Sequence, residues 1–135
     1  MLDIGASNLD LVRSILADWE RGDFSHADWA HSDIEFIRKV DLDPERAEGM
    51  AGMAQMMRRY LAGWDEFRTG KVDEYRELDP SRVLVTGRMS GRGKASGALV
   101  EREFANVLDL REGRVARLTI YPDRDRALAD LGLEE

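Results

Sequence analysis

Hydrophobic and polar residues alternate most regularly in the last third of the chain. Val100, Arg102, Phe104, Asn106 and Leu108 fall on one pleat, and Glu101, Glu103, Ala105, Val107 and Asp109 on the other. That pattern predicts a long strand with one face toward a core. A tight turn follows at Arg111-Glu112-Gly113, where the glycine can take the positive φ that a short hairpin needs. A second strand and a short capped helix complete residues 97–133.

The first third reads differently. Leu9, Val12, Leu16 and Trp19 recur at three- and four-residue spacings, with Ile15 beside them, which predicts a helix with one buried face. Ser7 or Asn8 can cap it, and Gly22 stops it after residue 21. Residues 23–30 are expected to form a second, shorter helix carrying Phe24 and Trp29. A short strand follows over 34–38, where Ile34 and Phe36 alternate with Glu35, and a polar loop over 41–48 around Pro44.

The strongest helical stripe is in the middle. Met50, Met53, Met57, Tyr60, Leu61 and Trp64 share one face of a helix over 49–64, with Gln55, Arg58 and Arg59 turned away. Its methionines suit the filling of irregular core gaps, or a deformable wall around an apolar ligand. Beyond it come a strand over 67–78 interrupted near Gly70, a turn at Asp79-Pro80-Ser81, a strand over 83–89 and a glycine-rich basic hairpin loop over 90–97. Helices first and an antiparallel meander last make the fold α+β, and 135 residues form a single domain over 1–135.

Composition narrows the function classes. No apolar run approaches a membrane span of roughly 20 residues, and the N-terminal residues lack the basic and apolar regions of a secretory leader. There is no cysteine, which excludes disulfides, thiolate nucleophiles and cysteine metal sites and fits a cytoplasmic protein. A net charge of −7 argues against nucleic-acid binding.

Motif-like stretches do not hold up as sites. Gly91-Arg92-Gly93-Lys94 lacks the leading glycine and the following hydroxyl residue of a phosphate loop, since Arg88 and Ala95 stand there. His26 and His31 are five apart rather than four, with no further histidine to complete a metal site. Asp41, Asp43, Glu45 and Glu48 lack the ligand spacing and central glycine of a calcium loop. No metal and no cofactor is expected.

The order of motifs carries more. Trp19-Glu20-Arg21-Gly22-Asp23-Phe24 is followed by His31-Ser32-Asp33-Ile34-Glu35-Phe36 and the glycine-led helix at Gly49. Leu110-Arg111-Glu112-Gly113-Arg114-Val115 comes next, then Tyr121-Pro122-Asp123-Arg124-Asp125-Arg126-Ala127-Leu128 with Gly132-Leu133. In this order the chain resembles SnoaL-like proteins of the nuclear transport factor 2-like superfamily, which includes ketosteroid isomerases, limonene-epoxide hydrolases and polyketide cyclases. The resemblance implies a cone-shaped, curved mixed sheet with N-terminal helices packed on its concave face, and a homodimer formed through the outer face.

The catalytic sets of these relatives do not carry over. Against the isomerase pattern, Ile15 stands at the tyrosine, Arg38 near the base and Ala105 near the protonated acid. Ile120 stands where the epoxide hydrolases place an aspartate, and Leu118 with Ile120 suggests an apolar wall where cyclases have an acid. The function expected is binding of a small hydrophobic molecule in a mainly apolar cavity, and the sequence does not specify a reaction of isomerase, cyclase or hydratase type. Trp19, Phe36, Met53, Met57, Tyr60, Leu118, Ile120 and Tyr121 would line the cavity. Glu103 would transfer a proton, with Arg38 stabilising negative charge. The alternative is a non-catalytic dimerisation or partner-binding module, with a filled core and an apolar sheet face open to a partner.

Overall fold

The computed structural model describes residues 4–40 and 43–133, with side chains from residue 8 onward. Asp41, part of the acidic loop considered above, lies outside them, and the first helix starts at Ile4, so Ser7 and Asn8 lie within it rather than cap it, with Asn8 Nδ2 donating to the Pro80 carbonyl at 2.9 Å. The elements run α1 (Ile4–Glu20), β1 (Ala30–Arg38), β2 (Glu45–Glu48), α2 (Gly49–Leu61), β3 (Trp64–Asp79), β4 (Arg82–Gly93), β5 (Leu99–Arg111), β6 (Arg114–Tyr121) and α3 (Arg124–Leu131). All six strands join one sheet in the order β2-β1-β6-β5-β4-β3. β1 pairs with β6 in parallel and every other pair is antiparallel, so the sheet is mixed.

The hairpin between β5 and β6 is the tight turn expected. Arg111 pairs with Arg114, and Glu112 and Gly113 take φ values of 56° and 75°. Two successive positive values match the right-handed twist of the flanking strands.

Each face of the sheet has its own core. On the concave side, Val12, Ile15, Leu16 and Trp19 of α1 pack with Met53 and Met56 of α2 against Ile34, Phe36, Val83, Val85, Phe104, Leu108 and Leu118. On the convex side, Ala127 and Leu128 of α3 cover Leu84, Ala105, Val107 and Tyr121. Residues 104–108 are therefore buried on both pleats. Asp123 caps α3 by accepting the Arg126 N–H, and Gly132 ends it in the left-handed conformation.

Four local expectations change. Residues 23–29 form a loop rather than a second helix. Asp23 accepts from the Ser25 N–H and hydroxyl, which stabilises a turn in place of a helical start, and Phe24 and Trp29 are drawn onto Trp19, at ring centroids 6.0 and 5.9 Å away. The polar loop over 41–48 includes an edge strand, because Glu45–Glu48 pairs with β1 and brings Glu45 opposite Arg38. The central helix ends at Leu61, and Trp64 opens β3, opposite Gly93. β3 runs through Gly70, with a register shift between Thr69 and Lys71 in place of an interruption.

The basic hairpin loop also shortens, since β4 continues to Gly93. Gly91 is buried there on the concave pleat. A Cβ at this position would lie 2.7 Å from Trp64 Cε3 and 3.1 Å from Phe67 Cδ2. The glycine lets two aromatic rings lie directly on the strand.

Candidate functional site

Between the sheet's concave face, α1, α2 and the 23–29 loop is a hollow of about 180 Å³. Phe104 and Asn106 of β5, Leu118 and Ile120 of β6 and Met89 of β4 form its floor. Met53, Met57 and Tyr60 of α2 line one side. Trp19, Phe24, Trp29 and Phe67 line the other. The rings form a continuous belt, with Phe24 to Phe67 at 5.6 Å and Tyr60 to Phe67 at 5.3 Å in an edge-on contact.

Register decides what enters the hollow. Arg38 pairs with Ile120, Ile120 with Asn106, and Asn106 with Val85, so these residues form one row across the concave face. Asn106 is 6% exposed, and its Oδ1 has no hydrogen-bond partner. Such an atom costs about 1–3 kcal/mol if it stays unpaired. Arg38 stands at the end of the row, its guanidinium 4.6 Å from the Tyr60 ring centroid, with Nη1 donating to Glu45 Oε1 at 2.8 Å. At the rim, Arg102 donates to the Tyr60 hydroxyl at 3.2 Å and lies 5.8 Å from the Trp64 ring centroid.

The structure brings together Trp19, Met53, Met57, Tyr60, Leu118, Ile120 and Arg38 around this hollow. Phe36 is 1% exposed and belongs to the packed core beside it. Tyr121 borders the hollow next to Pro122, but its ring packs in the convex core and its hydroxyl donates to Asp130. Glu103 borders the rim on the opposite pleat from Asn106, and its carboxylate accepts the Arg124 N–H at 2.8 Å. Glu103 and Arg38 both border the hollow, from opposite pleats of the sheet. Ala105 faces α3, so the residue that β5 offers to the interior is Asn106.

Sequence reasoning missed Asn106, Arg102 and the Phe24–Trp29–Phe67 wall. A signal for Asn106 was there to read: it is the one polar residue in the run 104–108, which is otherwise apolar on both pleats.

Three groups with shifted titration stand on the convex side, where α3 docks. Burial, and then the hydrogen bond to Asp130, push the Tyr121 hydroxyl well above its ordinary range. Lys39 and Tyr121 hold Asp130 below the usual carboxylate range. Hydrogen bonding from Arg124, with a further bond from Thr86, does the same for Glu74. These shifts come from anchoring α3 to the sheet. Among the described residues no group of histidines and carboxylates could hold a metal ion, and no helix is long and apolar enough to cross a membrane.

No family model matches the sequence, and no curated protein is significantly similar to it. Solved structures do match in shape. A protein from Jannaschia sp. CCS1 assigned as a SnoaL-like polyketide cyclase superimposes with a TM-score of 0.76 at 16% identity, over 97% of this chain and 93% of that one. An NTF2-like protein of unknown function from Burkholderia pseudomallei K96243 gives 0.76 at 17% identity, over 91% and 95%. TerC, co-crystallised with polyporic acid, gives 0.72 at 20% identity, over 93% and 97%. The chain has the nuclear transport factor 2-like fold, the curved and unclosed α+β cone shared with SnoaL-like proteins.

Proposed function

We propose that this protein binds a small, flat, apolar molecule inside the cone. The observation that carries the reading is the Asn106 amide, buried with its oxygen unpaired in an aromatic-lined hollow. A bound molecule with one polar group would hydrogen-bond this amide, once the side chain turns its buried oxygen to the hollow, while its apolar body covers the rings. Few polar groups in a mostly apolar site is the usual composition of a ligand pocket. A hollow of about 180 Å³ exceeds the roughly 150 Å³ that suffices for benzene. The co-crystallisation of TerC with polyporic acid supports the reading by analogy of fold.

The proposal is for binding first. Chemistry of the isomerase, hydratase or cyclase kind needs a base at the ligand, and Glu103 is the one carboxylate bordering the hollow among the described residues. One of its oxygens, Oε1, accepts the Arg124 N–H. The dimerisation reading has less support. Leu99 is the one strongly exposed large hydrophobic among the described residues, so the outer face presents no broad apolar patch.

Thermal denaturation with 2-naphthol, naphthalene and cyclohexanol tests the proposal. A rise in Tm with 2-naphthol, smaller with naphthalene and absent with cyclohexanol, is expected from a flat site with one acceptor. No shift with any aromatic compound would remove the binding reading.

A further inference from the structure

The charges around the hollow have the opposite sign to the molecule. The chain carries a net −7, yet its charged lining residues are Arg38 and Arg102, with His26 and Glu103 at the edge. Glu103 Oε1 accepts the Arg124 N–H, and His26 is within 3.3 Å of Asp23. Arg102 has no carboxylate partner among the described residues, where its contacts are the Tyr60 hydroxyl and the Trp64 ring. Arg38 is the deeper of the two arginines. Its side chain is 16% exposed and only Nη1 is engaged, by a glutamate that is itself 40% exposed. A guanidinium carries five N–H donors in a planar fork suited to a carboxylate, and Glu45 takes one of them, so donors remain for a second anion.

Position adds a second constraint. Arg38 and Asn106 lie on one row with Ile120 between them, two strand spacings or roughly 10 Å apart along the backbone. A ligand lying along that row meets a cation at one end, an apolar floor in the middle and the Asn106 amide at the other.

We infer that the ligand is an aromatic acid: a flat ring system whose carboxylate pairs with Arg38 and whose far-end hydroxyl hydrogen-bonds the Asn106 amide. This rests on the binding proposal above and names its ligand class. The aromatic belt supplies flat faces, the Arg38 fork reads the acid, and the amide reads the hydroxyl.

The test compares 6-hydroxy-2-naphthoate with its uncharged carboxamide at pH 7.5, by tryptophan fluorescence and calorimetric titration. The acid is expected to bind about tenfold tighter or more, the range of a charge-assisted hydrogen-bonded pair. Arg38→Met should remove most of that preference, and the thermal unfolding transition of the ligand-free variant checks that it is folded. Arg38→Lys should restore part of it. Equal affinities for acid and amide overturn this inference and leave the binding proposal standing. A preference that survives Arg38→Met overturns the role of Arg38. Failure of both compounds to bind overturns the inference and the binding proposal together.

Discussion

Asn106 of β5 and Ile120 of β6 stand opposite each other in register, and both project to the concave side. A polar amide is therefore held against an apolar neighbour in a stretch buried on both pleats, with its oxygen unpaired. Native interiors seldom keep such an atom unless something else satisfies it. Its neighbours on the other pleat, Ala105 and Val107, are apolar and packed under α3, so the amide is not part of a polar network on either side of the strand.

Replacing that amide should separate stability from binding. Asn106→Leu removes an unsatisfied acceptor beside open volume, so the variant is expected to gain about 1–3 kcal/mol in urea unfolding. The same variant should lose affinity for hydroxylated aromatic ligands. A destabilised Asn106→Leu would mean that the amide is satisfied in the native protein.

Gly91 predicts a packing defect. In Gly91→Ala the new Cβ would fall 2.7 Å from the Trp64 ring and must push it aside. The expected cost is about 1–3 kcal/mol, typical of overpacking, with a changed tryptophan emission spectrum. An unchanged spectrum and stability would show that Trp64 does not rest on β4.

The fully buried Phe36 should be structural rather than part of the hollow. Phe36→Ala is expected to cost about 3–5 kcal/mol in denaturant unfolding. Met57→Ala, at a half-buried position that lines the hollow, should cost less and admit a bulkier ligand. Equal costs would place the two side chains in equivalent environments.

The anchoring of α3 predicts an alkaline limb in stability. Folding raises the Tyr121 pKa, so its contribution is complete below the unfolded value of about 10 and is lost as pH rises from there toward the higher folded value. Tyr121→Phe should flatten that limb and lower stability at neutral pH by about 1 kcal/mol through the lost bond to Asp130. Asp130 works at the other end. Its pKa is lowered on folding, so its contribution is present above about pH 4 and falls away as pH drops through the folded value. Asp130→Asn should therefore soften the acid limb. Unfolding curves from pH 3 to 11 check both signs.

How much of this was legible in the sequence depends on the type of signal. The β5–β6 hairpin could be read because period-two alternation and Gly113 agree, and α1 because four apolar residues share one stripe. The 23–29 loop could not, since Phe24 and Trp29 take their positions from Trp19 rather than from helical spacing. Trp64 fits the stripe of α2 by spacing yet pairs with Gly93 as the first residue of β3. At the site, alternation separates Ala105 from Asn106 but does not say which one faces inward. A register slip of one residue reverses every side chain, and only the docking of α3 on Ala105 fixes the answer.

The most direct measurement is a crystal structure of the protein soaked with 6-hydroxy-2-naphthoate. The account predicts density for the probe on the Ile120 floor, its carboxylate within hydrogen-bond distance of Arg38 and its hydroxyl within reach of the Asn106 amide. A hollow closed by its own methionine and aromatic side chains, with no probe inside, would contradict it.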